Sequence, residues 1–106
     1  MPFQEINSLD TKGMIPGFLA RMIHMETMTF SHWTIEKGSV LPEHSHPHEQ
    51  ISILTKGKFE FTLSGEYREV LPGMVVIIPS NAVHSGKALE DCEIIDIFSP
   101  VRDDYL

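Results

Sequence analysis

Apolar positions along this chain fall into short runs and not into long stripes. Residues 18–24, 28–35, 50–55, 58–63, 74–78 and 93–98 are each rich in apolar, β-branched or aromatic side chains, a composition that fits a pleated, half-buried surface. Turn formers stand between them: Lys37-Gly38, Lys56-Gly57, Ser64-Gly65, Pro72-Gly73 and Pro79-Ser80-Asn81. Two hairpins are predicted, residues 51–54 with 58–63 around Gly57, and residues 59–63 with 67–70 around Ser64-Gly65-Glu66. No segment keeps a helical period for three turns. Many short strands at close spacing predict an all-β sandwich or barrel.

Composition narrows this picture. A chain of 106 residues suits one domain, spanning residues 1–106, that buries a modest core without covalent staples. The lone Cys92 has no partner for an internal disulfide, and Asp91 and Glu93 beside it oppose a reactive thiolate, so a quiet structural cysteine is expected. No run approaches the roughly 20 apolar residues of a membrane helix, and no signal peptide is visible, so a cytoplasmic location is expected. The formal charge of −7, with the basic residues scattered, opposes binding to nucleic acid or anionic membrane. Residues 1–16 have weak strand character at residues 3–6 and loop residues at Gly13 and Pro16. Such an arm adds little to one barrel, and its exchange across a twofold axis would cover a sheet edge, so a homodimer is expected. Residues 99–106 are polar and, on composition, read as a solvated end.

Candidate chemistry lies in the histidines. His44 and His46 are two apart and Gln50 is four further on, so in an extended segment their side chains converge on one side if the Pro47-His48-Glu49 turn preserves the parity. A strand cannot surround an ion alone, and His84, beyond the apolar run and Pro79-Ser80-Asn81, suits the role of distant fourth ligand. Imidazole nitrogen with an oxygen donor suits a divalent first-row ion. His48 and Glu49 lie in the same turn and could compete, but the odd offset of Glu49 from His46 sends it to the opposite face. His32 has two readings, lining the cavity or packing beside Trp33, of which packing is the one expected.

The spacing Gly38, five residues, His44, one residue, His46, three residues, Gln50, six residues, Gly57 resembles the first cupin motif. Gly73, five residues, Pro79 and then His84 resembles the second. The resemblance implies a double-stranded β-helix barrel with a metal ion in its mouth. Three positions depart from the pattern: Gln50 replaces a common Glu, Asn81 a glycine, and Ala88 a final Asn. Three neutral imidazoles and an amide would leave the full charge of the ion on the site, making it a stronger electrophile and a better home for an anion.

The last strand, Glu93-Ile94-Ile95-Asp96-Ile97-Phe98, puts Asp96 among apolar neighbours, which is costly unless the carboxylate is hydrogen bonded or near a cation. The segments His44-Ser45-His46-Pro47-His48-Glu49-Gln50 and 96–105 are similar to the pectin-degradation cupins, which open the ring of 4,5-unsaturated uronates. The resemblance implies that Asp96, Phe98 and Arg102 join His44, His46, Gln50 and His84 in one site, with residues 99–106 near the barrel mouth. It implies Asp96 as proton shuttle, Arg102 and Phe98 as contacts to a small sugar acid, and one divalent ion, Ni, Zn, Fe or Mn, as cofactor. Two other classes stay open: a noncatalytic cupin that binds a sugar acid, and a metal-dependent dioxygenase.

Overall fold

The structure, a computed structural model, describes residues 2–106. Ten strands follow in chain order: β1 (Thr11–Ile15), β2 (Phe18–His24), β3 (Thr29–Ile35), β4 (Val40–His44), β5 (Glu49–Lys56), β6 (Phe59–Leu63), β7 (Glu66–Val70), β8 (Val75–Ile78), β9 (His84–Ala88) and β10 (Cys92–Ser99). They form two sheets, β1-β2-β3-β10-β5-β8 and β4-β9-β6-β7, with every pairing antiparallel. The two sheets close on a core that includes Trp33, Ile35, Leu54, Phe59, Phe61 and Ile94. This is the expected all-β, double-stranded β-helix barrel.

Side-chain alternation sets which residues reach the interior. Along β10, Cys92, Ile94, Asp96 and Phe98 are buried while Glu93, Ile95 and Ile97 are only partly so. Gln50, Ser52 and Leu54 do the same on β5, and the register pairs Phe98 with Gln50 and Asp96 with Ser52. The inward row of β10 is therefore laid beside the inward row of β5, and both enter one interior.

Three strands differ from the sequence reading. β4 and β9 carry Pro42, His44, His84, Gly86 and Lys87, so neither shows an apolar run; both are strands because they pair with each other. Pro42 is tolerated because β4 is the edge of its sheet. Gly86 is required because a Cβ there would run into the Phe59 ring and the Glu60 carbonyl oxygen. In the N-terminal arm, the expected strand at residues 3–6 is absent; a 3-10 turn at Ile6–Ser8 is followed by β1, which pairs with β2 of the same chain. The arm thus adds an edge strand to its own barrel, and Met14 and Ile15 pack against the core.

Residues 99–106 are a solvated end only in part. After a cis Ser99–Pro100 peptide the chain turns back, burying Arg102 to 5% exposure and half-burying Tyr105. Cys92 is buried, its Sγ 3.2 Å from the Lys58 carbonyl oxygen and 3.1 Å from that of Glu90, and burial pushes its thiol pKa up.

Candidate metal centre and its cavity

His44 ends β4 and His84 begins β9, and the two are direct cross-strand partners. His46 lies in the connection that leads to β5. One ring nitrogen from each of the three can be chosen so that all lie within 4.8 Å of one another. Each ring is set by a main-chain carbonyl two residues away. The Nδ1 atoms of His44, His46 and His84 lie 2.8, 3.1 and 2.9 Å from the carbonyl oxygens of Pro42, His48 and Ala82. A carbonyl only accepts, so each Nδ1 carries the proton and donates, leaving Nε2 with a free lone pair. Backbone orientation of this kind is what fixes metal-binding imidazoles.

The environment also favours the neutral rings of His46 and His84. Burial lowers the pKa of His84 to about 4. His46 is lowered as well, first by burial and then by the charge of Arg102.

Gln50 adds an oxygen. Its Nε2 donates to the Ser52 hydroxyl at 2.9 Å, and that hydroxyl donates to the Asp96 carboxylate. The chain of donors turns Gln50 Oε1 toward His46 Nε2, at 2.9 Å. With Nδ1 of His46 protonated, both atoms offer a lone pair toward the same point, as two ligands of one cation would. The donor set of three neutral imidazoles and one amide oxygen therefore fits a divalent transition ion. Glu49 is exposed, and the ring of His48 turns to the tail, where Nε2 donates to the Val101 carbonyl oxygen at 3.2 Å.

A cavity of about 310 Å³ adjoins this cluster, lined by His44, Gln50, His84, Asp96, Phe98 and Arg102 together with apolar side chains. Asp96 is 8% exposed, and burial pushes its carboxyl up to about 6 despite hydrogen bonds from Ser52 and Gln50. Such a value suits a group that must both take and give a proton near neutral pH. Phe98 lies edge-on to His46, with ring centroids 5.8 Å apart. Arg102 sits over the Tyr105 ring at 3.9 Å and the Phe98 ring at 4.7 Å. All seven residues singled out in the sequence thus gather in one region. His32 does not join them: its Nε2 lies 3.3 Å from a carboxylate oxygen of Glu93.

Sequence reasoning missed Ser52, Asp104 and Tyr105. Ser52 orients Gln50 and bonds Asp96; its even offset from Gln50 on one strand was the available signal. Asp104 and Tyr105 hold Arg102 through a turn that no periodicity marks.

A cupin domain family matches residues 31–98, and the chain belongs to the cupin family. The whole chain superposes on the structure of KdgF from Halomonas sp., with a TM-score of 0.93 and 33% identity over 99% of that chain. An RmlC-like cupin from Shewanella frigidimarina NCIMB 400 matches over the whole of this chain and 96% of its own, at TM-score 0.94 and 21% identity. A variant oxalate decarboxylase from Bacillus subtilis shares the fold, at TM-score 0.79 and 19% identity over 90% of this chain and 28% of that one. No curated protein matches the sequence. The likeness to KdgF therefore extends over the fold of the entire chain. Among the described residues no helix is long and apolar enough to cross a membrane.

Proposed function

We propose that this protein opens the ring of 4,5-unsaturated uronate monosaccharides, giving open-chain keto acids without net redox change. The observation that carries the reading is the convergence of Asp96, Phe98 and Arg102 with the three histidines and Gln50 around one cavity. About 310 Å³ lies at the low end of small-molecule pockets, which suits a monosaccharide. The likeness to KdgF over the full chain adds support.

His44, His46, Gln50 and His84 would hold one divalent ion, Ni, Zn, Fe or Mn, which supplies Lewis acidity toward developing enolate and carboxylate oxygens. Asp96 takes the proton of the anomeric hydroxyl. The C1 carbonyl forms as the bond from C1 to the ring oxygen breaks, and the electron pair leaves on that oxygen as an enolate. Asp96 then returns the proton to C4, so the product is an isomer of the substrate and no proton is consumed. Arg102 binds the substrate carboxylate by charge-assisted hydrogen bonds. Phe98 packs on the sugar and helps exclude water.

The test mixes metal-loaded protein with lyase-derived unsaturated monosaccharide and follows loss of its ultraviolet absorbance, beside an oxygen electrode. Absorbance loss without oxygen uptake is expected. Binding without absorbance loss would make the protein a sugar-acid binder, and oxygen uptake coupled to turnover would make it a dioxygenase. A homodimer belongs to the same proposal. Its support is the outer face of the larger sheet, where Ile51, Val75 and Ile77 are 44%, 53% and 71% exposed. A monomer by light scattering at high micromolar concentration would exclude it.

A further inference from the structure

An arginine that binds a ligand from within a cavity needs something to hold its flexible side chain. In this chain the holder is local. A 3-10 turn over Asp103–Tyr105 begins directly after Arg102, and the Tyr105 N–H donates to the Arg102 carbonyl oxygen at 2.9 Å. The turn brings the Asp104 carboxylate back onto the guanidinium of Arg102, two residues earlier. Nε donates to Oδ1 at 3.0 Å and Nη2 to Oδ2 at 2.7 Å, a two-pronged pair. A guanidinium has two such edges, and this contact uses the one that includes Nε.

The two partners differ in exposure: the Asp104 side chain is 56% exposed and that of Arg102 is 6%. Asp104 therefore covers the solvent side of the group, while Arg102 lines the cavity. The exposed carboxylate is screened by water, whereas the buried cation beside it is screened much less, so the cavity still sees positive charge.

We propose that Asp104 is a positioning residue for ligand binding: it clamps the Nε and Nη2 edge of Arg102 from outside and presents the Nη1 end to the cavity as the anchor for a carboxylate. The inference rests on the functional reading above and adds how the anion is selected. The alternative role, a carboxylate that occupies the fork and must be displaced by the ligand, predicts the opposite effect of removing it. The tail has other anchors, so the clamp can be removed without freeing the segment. The main-chain N–H of Arg102 donates to Thr29 Oγ1 at 3.0 Å, His48 Nε2 to the Val101 carbonyl oxygen at 3.2 Å, and Lys12 Nζ to the Tyr105 carbonyl oxygen at 3.1 Å.

The experiment is calorimetric titration of the metal-loaded full chain with D-galacturonate, a saturated uronate, and with uncharged D-galactose. Asp104→Asn should weaken galacturonate binding by about tenfold, the scale of a compromised charged hydrogen bond. Metal content, melting temperature and galactose binding should stay as they were. Asp104→Glu, which restores the charge, should recover most of the affinity. With the unsaturated substrate, KM should rise by a similar factor while kcat stays within about twofold. Unchanged or tighter galacturonate binding in Asp104→Asn would overturn the inference, and so would loss of metal or a lowered melting temperature, which would make the contact structural. Failure of the unsubstituted protein to bind galacturonate at all would instead count against the functional reading.

Discussion

The two sheets bring opposite kinds of chemistry to one cavity. The four-stranded sheet supplies His44 and His84, and burial lowers the pKa of His84 to about 4, which keeps its lone pair free. The six-stranded sheet supplies Asp96 and Gln50, and there burial pushes the carboxyl up to about 6. The cause is the same desolvation in both places, because water is removed from whichever form is charged. The consequences differ. On one side it leaves a neutral imidazole with a free lone pair, and on the other a carboxyl that changes charge near neutral pH, the two properties that the proposed function uses. The difference also separates what each side does for stability: His84 resists protonation as pH falls, and Asp96 resists ionisation as pH rises.

The strongest way to break this division is on the ligand side. His84→Ala should abolish metal binding and bring turnover to background, checked by elemental analysis of purified protein beside the absorbance assay. Metal retained at full stoichiometry would remove His84 from the ligand set. In contrast, Gln50→Glu should keep the metal, since the carboxylate preserves the oxygen donor.

On the other sheet, Asp96→Asn should lower kcat by roughly 10²–10⁴-fold with metal content unchanged. Its effect on stability should have the reverse sign. In the metal-free protein the Asp96 pKa is about 6 when folded against 3.8 as the ordinary value, so the fold favours the protonated carboxyl. The unfavourable ionisation is absent below pH about 4, grows between the two values and is complete above about 6. Asp96→Asn should therefore stabilise the metal-free protein at pH 7.5 by about 1–3 kcal/mol, an advantage that vanishes near pH 4. Chemical denaturation at the two pH values checks this, and an equal effect at both would mean that Asp96 ionises freely in the fold. The smallest effect is expected from Asp103→Asn, an exposed neighbour with no side-chain contact to Arg102 among those described, which should leave turnover within about twofold.

The same contrast governs what the sequence made legible. The histidines and Gln50 could be picked out by spacing, but not because they share a strand face. His44 ends β4 in one sheet and Gln50 lies on β5 in the other. The connection that carries His46 brings them together, and a main-chain carbonyl near each histidine does the orienting. Asn81 stands where the cupin pattern has glycine, and its φ of 64° lies in the left-handed region that this substitution requires. Asp96 and Phe98 could be placed on one face of β10 by parity. How Asp96 is held could not be read, because Ser52 meets it only through the pairing of β10 with β5, strands far apart in the chain. β4 and β9 were hidden for a similar reason: Pro42, Gly86 and Lys87 carry little strand preference, and pairing decides their conformation. The tail misled composition at one residue above all: Asp103 and Asp104 are exposed as a polar end should be, but Arg102 is buried and held by Asp104 and, through its main-chain N–H, by Thr29.

If Asp96 is the proton shuttle, proton transfer to C4 occurs inside the site, from one side of the substrate. The direct measurement is to run the reaction in D₂O and record the proton NMR spectrum of the first product formed. Delivery by Asp96 predicts deuterium in one of the two C4 positions and protium in the other. Deuterium divided equally between the two from the earliest time points would place protonation in free solution and contradict the role of Asp96.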